Sequence, residues 1–152
     1  MSRTRGFRQM AFCGGFAALL ALCSPVRADA ISDWIAIAAD AAARGRGDSY
    51  ERSRVMTAVS VAMFEAVSVN EAGQGSRIEV STHGPLGASS EAAAAAAAHY
   101  VLSHLFPEQR ASFSVDLARS IEAIPDGQGK FVGRMVGTSV GKSVYALLAG
   151  ER

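Results

Sequence analysis

Cysteine is scarce in this chain, and its absence beyond residue 23 excludes disulfide and thiol chemistry there. The 152 residues include two cysteines, Cys13 and Cys23. Both lie in an amino-terminal segment that we expect to be removed on export. The remaining domain must therefore be stabilised by packing alone.

That amino-terminal segment has the parts of a secretory signal peptide. Three arginines precede an apolar run over residues 10–22, and Val26 and Ala28 occupy the small-residue positions of a cleavage site. The run is shorter than the about 20 apolar residues that a membrane span needs. We predict cleavage after Ala28 and export to the periplasm or the medium. Lipidation of Cys23 is an alternative that the large residue before it disfavours.

A strong charge of either sign is also missing. Four of the 15 basic residues and none of the 14 acidic ones lie in residues 1–28, which leaves a net charge of −3 over residues 29–152. This mild acidity excludes the basic footprint of a nucleic-acid-binding protein and the basic amphipathic face of a membrane-surface helix. The 124 residues that remain are enough for one domain with its own core.

What the chain does contain is helical periodicity, which predicts an all-α domain over residues 29–152. Apolar residues recur every three or four positions in five segments, and glycine or proline separates them. We expect the second helix to be central, because it is apolar on most sides. The predicted helices cover residues 31–43, 51–70, 90–105, 107–124 and 129–149.

The third and fifth predicted helices carry complementary patterns of small residues. Seven consecutive alanines fill residues 92–98, with Ser89 or Ser90 as the N-cap. The fifth helix has a glycine at every fourth position from 129 to 141, although each interior glycine costs about 1 kcal/mol of helix stability. A close crossing of these two helices would offset that cost. Residues 74–88 are irregular, with a weakly alternating piece at 77–81.

Motifs that bind phosphate or metal are only approximated. The stretch Gly137–Ser143 resembles a phosphate-binding loop, but three residues separate its glycines where the loop needs four. We therefore expect a helix with a surface lysine, Lys142. His99 and His104 are five residues apart and point about 140° apart on a helix, so they cannot bind one metal ion together. They are expected to be capping or interface residues, and His83 lies in the irregular segment.

Catalytic side chains are equally hard to assign. Glu65 interrupts an apolar stretch and is predicted to lie either on the solvent side or inside with a partner, for which Arg44, Arg54, Arg110 and Arg119 are candidates. A catalytic carboxylate is the sharper alternative. The serines show no recognisable spacing to a histidine and an acid, and no nucleophile elbow occurs. The sequence thus supports no serine hydrolase.

Several phrases resemble the amino-terminal helical half of the vanadium-dependent haloperoxidase and type-2 phosphatidic acid phosphatase-like family. The resemblance covers residues 33–150 and depends on packing motifs. These are Asp33–Trp34 with Ile37–Ala38, Ala62–Val67, Ser90–Pro107, Ile124–Gly127, and the Gly133/Gly137 helix that ends in Leu147–Gly150.

The resemblance implies a scaffold without the family's reaction centre. That centre binds vanadate or phosphate through a lysine, an Arg-Pro pair, a Ser-Gly-His segment and a final arginine and histidine, and this chain has neither Arg-Pro nor Ser-Gly-His. We therefore assign no catalytic, cofactor-binding or metal-binding residue, and no cofactor unless another chain supplies the anion site.

We expect an exported, non-catalytic helical domain with a structural or interaction role, which self-associates or binds a partner chain. The alternatives are one part of a split or truncated acid phosphatase or haloperoxidase, and a small-ligand binder with a pocket between the alanine and glycine helices.

Overall fold

The computed structural model of the chain describes residues 30–45, 47–72 and 88–150, and within them it is all-helical. The predicted signal peptide, His83 and the possible extended piece at 77–81 lie outside the described residues. No helix in the described part has the length and hydropathy to cross a membrane. The five α-helices are α1 (Ala30–Arg44), α2 (Ser49–Ala72), α3 (Ser90–Leu105), α4 (Arg110–Glu122) and α5 (Gln128–Gly150).

Side-chain caps determine where α2 and α3 begin. The Asp48 carboxylate accepts hydrogen bonds from the backbone N–H groups of Tyr50 and Glu51, both at 2.9 Å, so α2 begins two residues earlier than predicted. The Ser89 hydroxyl accepts from the N–H of Ala92 at 3.2 Å, so Ser89 is the one of the two predicted caps that α3 uses. The helix α1 begins at Ala30, one residue before its predicted start.

The connection between α3 and α4 differs from the prediction in one detail. Pro107 does not open the fourth α-helix directly but begins a short 3-10 turn, Pro107–Gln109, and α4 starts at Arg110. The helix α3 still ends at Leu105, two residues before the proline, because proline cannot continue the helical hydrogen bonding. Phe113 then anchors α4, with 1% of its surface exposed.

The central helix is α3, so the prediction that α2 is central is wrong. All seven alanines of α3 are buried, and α3 contacts every other helix of the described bundle. The physical reason is size, because alanine side chains let neighbours approach from several sides at once. By contrast, α2 leaves Val61 and Phe64 exposed.

The contacts between helices give their directions. Gly133, Gly137 and Gly141 of α5 meet Ser89, Ala93 and Ala97 of α3 in the same order, so these two helices are parallel. The start of α2 lies beside the ends of α3 and α5 and therefore runs the opposite way. The helix α4 is also antiparallel to α3, since Ser114 contacts His99 and Arg110 contacts Ser103.

Glycine and alanine form a seam between α5 and α3, as predicted. A Cβ atom on Gly137 would collide with the backbone of Ala93, and one on Gly141 would lie 2.9 Å from the carbonyl oxygen of Ala97. The Gly129 carbonyl accepts a hydrogen bond from the Ser89 N–H at 2.9 Å, which ties the two helix starts together. The seam gives the most extensive helix–helix interface of the bundle.

Trp34 attaches α1 to α3 and α4. Its side chain is fully buried, and its indole N–H donates to the Ser120 hydroxyl of α4 at 3.1 Å. The ring also meets the imidazole of His99 edge-on, with 6.4 Å between centroids. One side chain thereby connects α1, α3 and α4.

Candidate functional site

Glu65 lies inside the bundle, with 3% of its surface exposed. Of the two predicted positions, the interior one is correct, and Glu65 has an interaction partner there. The four arginines considered from the sequence have other contacts. Arg44 pairs with Asp40, Arg54 lies over the Tyr50 ring, Arg110 bonds the Ser103 carbonyl, and Arg119 pairs with Asp116.

His99 contacts a serine, which the sequence-based reading missed. Its Nε2 atom lies 3.3 Å from the Ser114 hydroxyl oxygen, fifteen residues away on α4. The Ser114 hydroxyl donates to the Arg110 carbonyl at 2.9 Å, so its oxygen accepts from the Nε2–H of His99. Burial, with smaller contributions from the Arg110, His104 and Arg134 charges, lowers the pKa of His99 below its ordinary 6.5.

Ser114 and His99 are poorly arranged for nucleophilic catalysis, despite the short distance between the hydroxyl oxygen and Nε2. The hydroxyl proton of Ser114 is already donated along its own helix, away from His99. Ser114 sits within α4, where backbone N–H groups are engaged in the helix and cannot converge on an oxyanion. The contact between Ser114 and His99 therefore gives no support to a serine hydrolase.

His104 belongs to a separate aromatic cluster, in agreement with the predicted divergence of the two histidines. Its Nδ1–H donates to the Tyr100 carbonyl at 2.7 Å, and its ring stacks on that of Tyr100 with 4.1 Å between centroids. Tyr145 of α5 approaches the same imidazole at 5.0 Å. His104 is thus an interface residue between α3 and α5.

The stretch that resembles a phosphate-binding loop is part of a helix. The stretch Gly137–Ser143 lies wholly within α5, where Gly137 and Gly141 are buried in the seam and Lys142 is exposed. It is a helix with a surface lysine, as predicted. Within residues 30–45, 47–72 and 88–150, no group of three or more histidine, aspartate or glutamate side chains is arranged to hold a metal ion.

An uncharged exposed surface on α2 is the first candidate for function. Thr57, Ser60, Val61 and Phe64 are all exposed and recur at helical spacing, and we call these four residues the outer face of α2. Phe64 is 64% exposed and Val61 is 38% exposed. The signal was present in the sequence, because a helix that is apolar on most sides requires cover on most sides.

A cleft at one end of the bundle is the second candidate. It has a volume of about 650 Å³ and lies where α1, α3 and α5 end and α2 begins. Its residues come from four separate helices. It does not lie between the alanine and glycine helices, where the small-ligand alternative places the pocket. Those two helices are in backbone contact and leave no room there.

No family model, curated protein or solved structure matches this chain. The resemblance to the helical half of the haloperoxidase and phosphatase family therefore stays a prediction from the sequence.

Proposed function

We propose that this chain is an exported, non-catalytic interaction domain that self-associates through the outer face of α2. The observation that carries the proposal is the exposure of Phe64 and Val61 on a helix whose opposite side is already buried against the core. Apolar side chains that recur on one exposed face are typical of a docking surface. A partner must therefore present a surface that is also uncharged and partly apolar.

A second copy of the chain satisfies that requirement. In a two-fold dimer the same patch faces itself, so any charge near the axis meets its own copy. The outer face of α2 contains no charged residue. Its hydroxyl residues, Thr57 and Ser60, are small enough to let the aromatic ring of Phe64 from the other copy approach.

The expected dimer is weak. The outer face extends over about two helical turns, or about 11 Å at 1.5 Å per residue. A stable interface buries about 800 Å² on each partner, which two turns of one helix cannot supply alone. We therefore expect a dissociation constant in the micromolar range or above, and an equilibrium between monomer and dimer.

Sedimentation equilibrium over a wide range of protein concentration tests the proposal. The full-length gene is expressed for export, and mass spectrometry of the purified protein is expected to give Asp29 as its first residue. The weight-average mass of the unaltered protein should rise with concentration. A mass that stays at the monomer value at every concentration would overturn self-association.

Two charge substitutions locate the surface. Phe64→Glu places a carboxylate on the outer face and should keep the protein monomeric. Val115→Glu is the matched control, since Val115 is 59% exposed on α4 and lies outside that face. It should dimerise as the unaltered protein does. Equal behaviour of the two variants, with circular dichroism showing both folded, would contradict the assignment to α2.

Binding of oxyanions distinguishes the split-enzyme alternative from self-association. A second polypeptide that completes an anion site would also need an apolar docking surface, so Phe64→Glu does not separate it from self-association. Binding of oxyanions in the presence of that polypeptide would separate them. The purified domain alone is expected to bind none.

A further inference from the structure

The cleft at the end of the bundle has the composition of a ligand site. Its volume of about 650 Å³ lies within the range of small-molecule pockets in proteins. Apolar side chains from three helices form its inner part. These residues are Val55, Ala58, Leu105, Phe106 and Leu148.

Charged residues of both signs surround the apolar part. Glu51, Arg52 and Glu108 are exposed and form the rim together with the half-buried Arg54. The apolar residues, of which Ala58 is buried and the other four are half-buried, form the floor. The Arg54 guanidinium lies 5.9 Å from the centroid of the exposed Tyr50 ring, a cation–π contact beside the cleft. The rim thus offers two guanidinium and two carboxylate groups.

The ends of three helices add to the rim. The helices α1, α3 and α5 all end at the cleft, and each leaves carbonyl groups that carry partial negative charge. A glycine permits the close approach of α1, because a Cβ atom on Gly45 would lie 3.1 Å from the Phe106 ring. These carbonyl ends and the carboxylates favour a ligand ammonium group, whereas the arginines favour a carboxylate.

We propose that this cleft binds a zwitterion with an apolar side chain, namely a dipeptide. The apolar side chain occupies the floor, the carboxylate of the ligand contacts Arg54, and its ammonium group contacts Glu108. A ligand with only one charge would place that charge near rim groups of the same sign. This site is independent of the outer face of α2, so its test does not depend on self-association.

Three related compounds test the charge requirement by isothermal titration calorimetry. The probes are leucyl-phenylalanine, its N-acetyl derivative and its C-terminal amide, and laurate serves as an apolar anion without an ammonium group. Leucyl-phenylalanine should bind, and each blocked derivative should bind about tenfold more weakly, the loss expected for one charged hydrogen bond. Laurate should bind more weakly than the dipeptide.

Two variants assign the charges to residues. Arg54→Gln should weaken binding of the free dipeptide about tenfold and should remove the further loss on amidation. Glu108→Gln should do the same for acetylation. Arg119→Gln, an exposed arginine on α4 outside the cleft, should bind as the unaltered protein does.

Several results would overturn the proposal. One is the absence of binding heat with all probes while circular dichroism shows the protein folded. Others are blocked derivatives that bind as tightly as the free dipeptide, and a laurate affinity above that of the dipeptide. Retention of the full amidation effect in Arg54→Gln would show that the carboxylate does not contact this arginine.

Discussion

The carbonyl group of Ala93 lies against the position that a Cβ atom on Gly137 would occupy, so α3 and α5 meet backbone to backbone. Gly137→Ala should therefore lower the free energy of unfolding by about 2 kcal/mol or more, because overpacking outweighs the about 1 kcal/mol that alanine gains in helix propensity. Urea denaturation measures the change. Gly150→Ala is the control, since no atom lies within 4 Å of its Cβ position. A more stable Gly137→Ala would show that the seam can open at no cost.

The hydrogen bond from Trp34 to Ser120 is expected to contribute to stability. Ser120→Ala leaves the buried indole N–H without its acceptor and should cost about 1 kcal/mol in the free energy of unfolding. Ser143→Ala is the matched control. Both hydroxyls donate to a carbonyl of their own helix, Ser120 to Asp116 and Ser143 to Ser139, but only Ser120 also accepts from the tryptophan. Equal losses of stability in the two variants, measured by thermal unfolding, would show that the hydrogen bond from the indole does not contribute to stability.

The stability of the protein should depend on pH through His99. Burial and the nearby Arg110 lower the pKa of His99 in the folded state, so below about pH 6.5 the unfolded chain binds more protons than the folded one. The free energy of unfolding should therefore fall as the pH drops below about 6.5. His99→Gln should reduce this dependence, and Ser114→Ala should retain it, because the imidazole remains. Urea midpoints at several pH values give the slopes, and an unchanged slope in His99→Gln would exclude this residue as the source.

Vanadate and phosphate should leave the melting temperature of the purified protein unchanged. A ligand raises the melting temperature only if it binds the folded state, and the sequence lacks the Arg-Pro and Ser-Gly-His segments that hold the anion in the family it resembles. Differential scanning fluorimetry with sodium chloride at equal ionic strength provides the control. An increase specific to the oxyanion would reveal an anion site in this chain.

Local signals were sufficient to place the helices. The range of α3 agrees with the prediction at both ends, because Ser89 caps its start and Pro107 prevents its continuation. The early start of α2 was not predicted although its cause is local, because Asp48 was not recognised as a cap. The glycine repeat correctly indicated the crossing of α5 and α3, because unfavourable residues at regular spacing require a compensating contact.

Long-range relationships were harder to predict. The central position of α3 was missed because alanine has little hydrophobic surface of its own, so its burial follows from how closely other helices approach. The contact between His99 and Ser114 depends on the direction of α4. The cleft brings Glu51 and Glu108 to the same rim from separate elements, and no periodicity within one segment contains that information.

The pairing of Gly133 with Ser89, Gly137 with Ala93 and Gly141 with Ala97 has one constant offset of 44 positions. That offset determines where the chain can change length. An inserted residue in the bends around Phe106 or Asp126 changes only the offset and leaves every pair facing. An insertion inside α3 or α5 rotates every later residue of that helix by about 100°, so the later pairs no longer face each other. Proteins descended from the same ancestor should therefore differ in length at the two bends and not within these helices.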